Sequence, residues 1–365
     1  GIGLSFTRVP MGASDFSLRQ YSYDDVPLGQ TDSTLAHFTI DVDRADKVPV
    51  LKRALAINPQ LTVMATPWSP PGWMKTTGSL IQGTLLPQWY DAFAQYFVRF
   101  IQAYDKEGVT VAAITVQNEP NFEPGDYPGM RLEAPARARV IGDHVGPAFA
   151  TAGLKTQIWD WDHNWDVPQS PMDVLADSVA RRYVQGVAWH CYNGDVGAQS
   201  VVHTAFPEKD TYFTECSGGD WATNWADNLV YNVGTLILGT TRNWARSVAL
   251  WNLALDENDG PHTGGCGNCR GVVTITSTTG MYHRNVEYFA LAHASRFVRP
   301  GAVRISSSAG SDSISSVAYR NAGGGARVLI VLNSAASSRR FGVRSGGKSF
   351  SYTLPAKSVV TFTWN

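Results

Sequence analysis

Apolar and polar positions along this chain change period repeatedly, and the changes come in a regular order. Short runs dominated by apolar and β-branched residues alternate with longer stretches whose apolar positions recur every three to four residues. Strand-like runs occupy residues 4–9, 62–66, 111–116, 156–159, 186–189, 211–214 and 247–251. The clearest helical stretch between them carries Tyr90, Phe93, Phe97, Phe100, Ile101 and Tyr104 on one face. Pro87 stands where that helix can begin and Gly108 where it can end. Further helical patterns cover residues 135–152, 171–183, 224–238 and 285–297.

Strands that alternate with helices imply a parallel sheet with helical crossovers. Functional residue types at the C-terminal ends of the strands point to an α/β fold of the (β/α)8 TIM-barrel type rather than an open sheet. Seven runs are found where a closed barrel needs eight, and the missing first strand would precede Gly1. After Arg299-Pro-Gly301 the pattern shifts to Ser, Thr, Val and Gly. Turn clusters lie at 321–325 and 345–348, with strand-like runs at 328–332 and 359–364. The expected organisation is a catalytic-type barrel over 1–298 and a C-terminal β-sandwich domain over 299–365. Two arrangements answer the missing strand. A separate upstream segment completes the barrel, or residues 1–10 close against 247–251.

Composition narrows the partners. The 365 residues are 44% apolar, enough for a large core, and only 17% charged, with a net charge of −1. That balance argues against nucleic acid or an anionic membrane surface and favours a neutral polymer or another uncharged substrate. No apolar run is long enough to span a bilayer. Residues 1–10 read as a strand under way, not as a signal peptide. Cys191 and Cys216 flank strand ends and are expected to be buried free thiols. Cys266 and Cys269 sit in a glycine-rich loop that suits a small disulfide loop, free thiols, or half a zinc site with His262. No second Cys or His pair follows at zinc spacing.

Two strand ends carry the sharpest chemistry. The run 111–116 leads to Asn118-Glu119, and the run 211–214 leads to Glu215. A carboxylate at the end of an apolar strand is costly unless a site uses it or an ion pair compensates it. Two such groups at the C-terminal end of a barrel suit glycosidic cleavage, which needs a proton donor and a second carboxylate across the sugar ring. The other strand ends are polar or aromatic. Arg8 ends the first and Asp15 follows it, Trp68 ends the second, His190 and Tyr192 end the run 186–189, and Trp251 ends the last. Aromatic faces stack on sugar rings, and Asp, Asn and Arg take sugar hydroxyls. The segment Asp160-Trp-Asp-His-Asn-Trp-Asp166 lacks the turn glycine and terminal Glu of a calcium loop and reads as a polar loop lining a cleft. Neither a Gly-x-Ser-x-Gly elbow nor a phosphate-binding loop occurs. No metal or cofactor is expected.

The motifs together resemble a known family. Thr7-Arg-Val-Pro-Met-Gly-Ala-Ser-Asp-Phe-Ser17, Ala65-Thr-Pro-Trp-Ser-Pro-Pro-Gly-Trp-Met-Lys75, Gln117-Asn-Glu-Pro120, Phe213-Thr-Glu-Cys216 and Trp251-Asn-Leu-Ala-Leu255 are similar, in order, to glycoside hydrolase family 30. That family holds glucosylceramidases and endo-β-1,6-glucanases. The resemblance implies a retaining mechanism with Glu119 as acid/base and Glu215 as nucleophile. It also implies that Arg8, Asp15, Trp68, Asn118, Tyr192 and Trp251 hold the sugar. Cys191 departs from the Trp that glucosylceramidases carry beside that Tyr, and the 261–271 loop is more like the microbial glucanases. The expected activity is therefore endo-β-1,6-glucanase. The alternatives are a glucosylceramidase-type β-glucosidase and a non-catalytic carbohydrate-binding protein on a truncated barrel. Family members begin upstream of Gly1, and an extracellular location is expected. Glu119 is expected to have the higher pKa of the pair, with Arg8 donating to Glu215.

Overall fold

The computed structural model describes residues 1–365. The chain divides into two compact units, one of Phe6–Cys216 with 260–267, the other of Gly1–Ser5, 217–259 and 268–365. The fold is a TIM-barrel domain with a C-terminal β-sandwich.

The sheet of the first unit is parallel and follows chain order: β1 (Phe6–Met11), β2 (Thr62–Pro67), β3 (Val111–Thr115), β4 (Gln157–Asn164), β5 (Val184–His190) and β6 (Asp210–Glu215); a further strand, β7 (Ala245–Val248), belongs to the second unit. Each of the seven strand-like runs overlaps a strand, the last only at 247–248, since β7 ends at Val248 and 249–251 are not strand. β4 differs in the other direction. It continues to Asn164, through the segment read above as a loop, and its pairing with β5 shifts register between Ile158 and Trp159 and again between Trp161 and His163. Trp161 and Asp162 have φ of 77° and 55°. Positive φ at two consecutive non-glycine residues marks a bulge that re-aims the side chains, a device common beside active sites.

Within the first unit, Met64, Ala113, Trp159 and Ala188 form a buried cluster on which Phe6 and Tyr212 pack. Each of β1 to β6 supplies one residue to it. A flat sheet would spread these positions over many ångströms, so their meeting requires the sheet to curl around them. Large and small residues alternate in the layer, and Trp159 stacks on Tyr212 with ring centroids 3.5 Å apart. The helix Tyr90–Lys106 presents the face expected from its spacing: Tyr90, Phe93, Phe97, Phe100, Ile101 and Tyr104 are all buried.

The expected helix over 135–152 is helical throughout, with a π-helical stretch at Val140–Val145. The 171–183 pattern resolves into Gln169–Ala176 and Ser178–Tyr183, broken at Asp177, whose side chain caps the second helix through the N–H groups of Val179 and Ala180. Helices Lys47–Ile57 and Ala198–Ala205 have no counterpart in the sequence reading; only Val48 and Leu51 are buried along the first.

In the second unit, strand Arg327–Asn333 lies between Ile314–Arg320 and Ser358–Trp364, all antiparallel. Val328, Ile330 and Leu332 belong to a core shared with Leu229, Val233 and Ile237 of the helical segment. Leu329 and Val331 belong to a second core, on which Phe341 and Phe362 pack. Both faces of the strand are covered, which is why its sequence is apolar throughout rather than alternating. The turn clusters at 321–325 and 345–348 join antiparallel pairs, as their glycines require.

Asp160 illustrates a carboxylate used for stability. It pairs with Arg137 at 2.9 Å, both side chains fully buried. Arg137 also donates to the Leu132 carbonyl and the Ser170 hydroxyl. Removing one partner strands the other charge. Asp160→Ala is therefore expected to cost about 3–5 kcal/mol, read as a lower urea midpoint with an unchanged denaturant slope. A midpoint within error of the parent would contradict the assignment.

Candidate active site

The strand ends of the first unit converge on one guanidinium. Arg8, on β1, is almost fully buried, and a buried cation needs acceptors. Its Nη1 donates to Glu215 Oε2 at 2.5 Å. Its Nη2 donates to Asn118 Oδ1 at 2.6 Å and to Asp162 Oδ2 at 2.8 Å. The guanidinium lies over the Trp68 ring, 4.9 Å from the centroid. Trp68 is itself buried, so its ring backs Arg8. Burial alone would lower the pKa of Arg8, but Asp162 and Glu215 outweigh it and raise it.

Glu215 ends β6 and is held at both oxygens, by Arg8 at Oε2 and by the Tyr192 hydroxyl at Oε1, 2.8 Å. Burial, reinforced by Glu215 and Glu119, pushes the Tyr192 pKa well up, so Tyr192 remains a donor. Glu119 follows β3 with φ of 46°, in the left-handed region. Its N–H donates to the Asp162 carbonyl at 3.1 Å. This is backbone strain at a candidate catalytic residue, held by a neighbouring strand.

His190 joins the two carboxylates. It is fully buried at the end of β5. Its Nδ1 lies 3.1 Å from Glu119 Oε1 and 3.8 Å from Glu215 Oε1. These two carboxylate oxygens are therefore within about 7 Å of each other. Nε2 of His190 faces Asp162 Oδ1 at 3.0 Å. Burial would lower its pKa, but Glu215, Asp162 and Glu119 raise it to about 9. Burial pushes Glu119 upward, yet the hydrogen bond and charge of His190, with His163 and Arg8, outweigh it and leave Glu119 below the usual carboxyl value. The raised Glu119 expected from sequence is thus not found, because a buried imidazolium sits against it. The expected Arg8–Glu215 contact is present.

Asp162 is the functional residue that sequence reasoning passed over. Besides Arg8 and His190 it accepts from Thr115 Oγ1 and Thr214 Oγ1, both at 2.7 Å. Burial raises its pKa, and Arg8 and His190 overcome that and hold it ionised. The bulge at Trp161–Asp162 turns it into this hub. Tyr127 is a second omission. Burial raises its pKa first, followed by Glu119, Asp15 and Glu215. Asp15 is buried beside the 260–267 loop, where Thr263 N–H donates to its carbonyl at 2.8 Å. Gly265, φ 66°, lies there so closely that a Cβ would come within 2.8 Å of the Asp15 Cβ. Trp251 follows β7, in the chain of the other unit.

Cys191 and Cys216 are not free thiols. They form a disulfide with Cα atoms 5.3 Å apart. Each stands one residue past the end of its strand, and β5 and β6 are neighbours, so the two side chains are brought together. Cys266 and Cys269 are oxidised as well. The Cys191–Cys216 bridge ties the Tyr192 segment to Glu215. Replacing both cysteines by Ala is expected to lower stability by about 2–4 kcal/mol and to lower kcat, measured by thermal unfolding and by turnover per folded molecule. Unchanged unfolding would contradict a structural role.

Comparison with known proteins agrees with this geometry. Residues 1–298 match the glycosyl hydrolase family 30 TIM-barrel domain, and residues 301–362 match the family's β-sandwich domain. The chain is 36% identical to an endo-1,6-beta-D-glucanase of Neurospora crassa over 386 residues, covering 99% of this chain and 77% of that protein. It is 29% identical to the lysosomal acid glucosylceramidase of Mus musculus, covering 100% of this chain and 74% of that protein. Among solved structures, the endo-beta1,6-glucanase BT3312 superposes with a TM-score of 0.91 at 34% identity, covering 100% of this chain and 84% of that one.

Proposed function

Because the chain belongs to glycosyl hydrolase family 30 and is a glycosyl hydrolase, we propose that it cleaves β-1,6-linked glucan with retention of anomeric configuration. In this reading a Glu215 oxygen attacks the anomeric carbon while the bond to the leaving oxygen breaks. Glu119 gives that oxygen a proton, and a glycosyl ester on Glu215 results. Water then attacks the same carbon, Glu119 takes its proton, and Glu215 is released as carboxylate.

The observation that carries the reading is the contrast between the two carboxylates. Glu215 is pinned at both oxygens by donors that stay protonated, which suits an anion aimed at one carbon. Glu119 faces an imidazole that can exchange a proton with it. The Glu119–His190 pair behaves as one proton-holding unit: the proton resting on His190 moves to Glu119 when the leaving oxygen needs it. A separation of at most about 7 Å admits the spacing of about 5–5.5 Å that direct attack needs. Asp162 and Arg8 keep the surrounding charges in place.

The linkage follows the similarity to proteins named endo-1,6-β-glucanases. An extracellular location, with the barrel over 1–298 and the sandwich over 299–365, completes the proposal; disulfides at all four cysteines suit an oxidising compartment. No helix is long and apolar enough to cross a membrane. Early-time NMR of hydrolysis on β-1,6-gluco-oligosaccharide tests the chemistry. The β-anomer is expected first, and first appearance of the α-anomer would overturn retention. Reducing-end release from β-1,6-glucan, set beside β-1,3-glucan and glucosylceramide, tests the linkage.

A further inference from the structure

His163 has no place in the mechanism above, yet it is buried against the acid/base. It sits on β4 just past the bulge, and its Nδ1 is buried without a hydrogen-bond partner. A buried polar atom without a partner is costly. That nitrogen lies 3.7 Å from Glu119 Oε1, while His190 Nδ1 lies 3.1 Å from the same oxygen. Ligand atoms of Glu119, His163 and His190 all lie within 4.8 Å of one another.

We propose that Glu119, His163 and His190 form a capture site for a zinc-like divalent cation, and that filling it switches hydrolysis off. Metal–ligand bonds of about 2.0–2.2 Å in a tetrahedron place ligand atoms roughly 3.3–3.5 Å apart. The two separations from Glu119 bracket that value. Two imidazoles and one carboxylate favour zinc or copper over calcium or magnesium. His190 is already oriented as a ligand, because Asp162 holds its Nε2 at 3.0 Å and leaves Nδ1 toward Glu119. A carboxylate behind the far nitrogen is the usual support of a metal-binding histidine. His163 and His190 stand on neighbouring strands β4 and β5, and Glu119, just past β3, is fixed by its N–H bond to the Asp162 carbonyl. Filling the site displaces the proton that Glu119 and His190 hold to the solvent, and the cation occupies the lone pair that must pick up and deliver protons. Inhibition rests on Glu119 being the acid/base; binding does not.

Equilibrium dialysis of the chelator-treated full chain against zinc chloride reads binding directly, and hydrolysis of an aryl β-glucoside under the same zinc titration reads inhibition. One ion per chain is expected at the site, with inhibition reversed by EDTA. His163→Gln is expected to weaken binding at least tenfold and to raise the half-inhibitory zinc concentration by the same factor. His283→Gln, at an exposed histidine outside this cluster, should leave both unchanged. Zinc should raise the unfolding midpoint of the parent but not of His163→Gln, with His163→Asn as a second variant if the first folds poorly. Equal zinc binding by the parent and a folded His163 variant, or no binding by the parent at millimolar zinc, overturns the proposal. If no glucoside is hydrolysed at all, the functional reading fails while dialysis still decides the site.

Discussion

Glu215→Gln is expected to lower kcat by about four orders of magnitude or more, over 5 kcal/mol of lost transition-state stabilisation. The amide is nearly the size of the carboxylate; its oxygen can still accept from Arg8 while its NH2 donates to the Tyr192 hydroxyl oxygen, so the architecture around β6 has little reason to change. What disappears is the charge and the nucleophilic oxygen. Binding of a β-1,6-gluco-oligosaccharide, measured by calorimetry, should stay within a few-fold of the parent. The smaller Glu215→Gly variant adds a test that a structural role does not mimic. Azide placed in the vacated space should attack the anomeric carbon from the nucleophile's side and give the α-glycosyl azide from an activated β-glucoside. Turnover above a tenth of the parent, or a β-azide product, would count against Glu215 as the nucleophile.

The parts of the site that sequence made legible share one cause. Arg8, Glu119, Tyr192 and Glu215 stand within a few residues of the C-terminal end of an apolar run, and the parallel sheet turns those separate ends into one surface. Asp162 follows the same rule but was hidden by the backbone. Its strand reads Asp-Trp-Asp-His, which looks like a polar loop, and only the left-handed residues at Trp161 and Asp162 aim the second aspartate inward. Alternation of Trp with Asp after Ile158 was the available signal for a continuing strand. The Cys191–Cys216 bridge was also within reach. Each cysteine follows its strand directly, and consecutive strands of a βα sheet are neighbours, so equal offsets imply adjacency. The π-helical stretches at Val140–Val145 and Asn232–Gly239 left no comparable mark, because apolar spacing changes too little between 3.6 residues per turn and a locally wider coil. The charge state of Glu119 could not be read from residue types at all. It depends on His190 being buried 3.1 Å away.

Glu119→Gln should divide substrates by leaving group. An acid contributes about 10²–10⁴-fold when the departing oxygen is basic and far less when the departing group is a stable phenolate. Hydrolysis of a β-1,6-gluco-oligosaccharide is therefore expected to fall by about a thousandfold or more. Formation of the glycosyl ester from a dinitrophenyl glucoside should change by less than about tenfold. The second step then limits the variant, because the substituted amide cannot take a proton from water, so a burst of phenolate should precede slow turnover. Azide should speed that step, since it attacks without needing a base, and the product should be the β-glycosyl azide. The position of His190 sharpens the expectation. In the parent its imidazolium pairs with the Glu119 carboxylate; against a neutral amide that partner charge is gone, although Asp162 and Glu215 remain. The proton on His190 should therefore leave at lower pH in Glu119→Gln than in the parent, where the pKa is raised to about 9. NMR of the imidazole in both proteins reads this directly. Equal rate losses on the two substrates, or an unmoved His190 titration, would remove Glu119 from the role of acid/base partnered by His190.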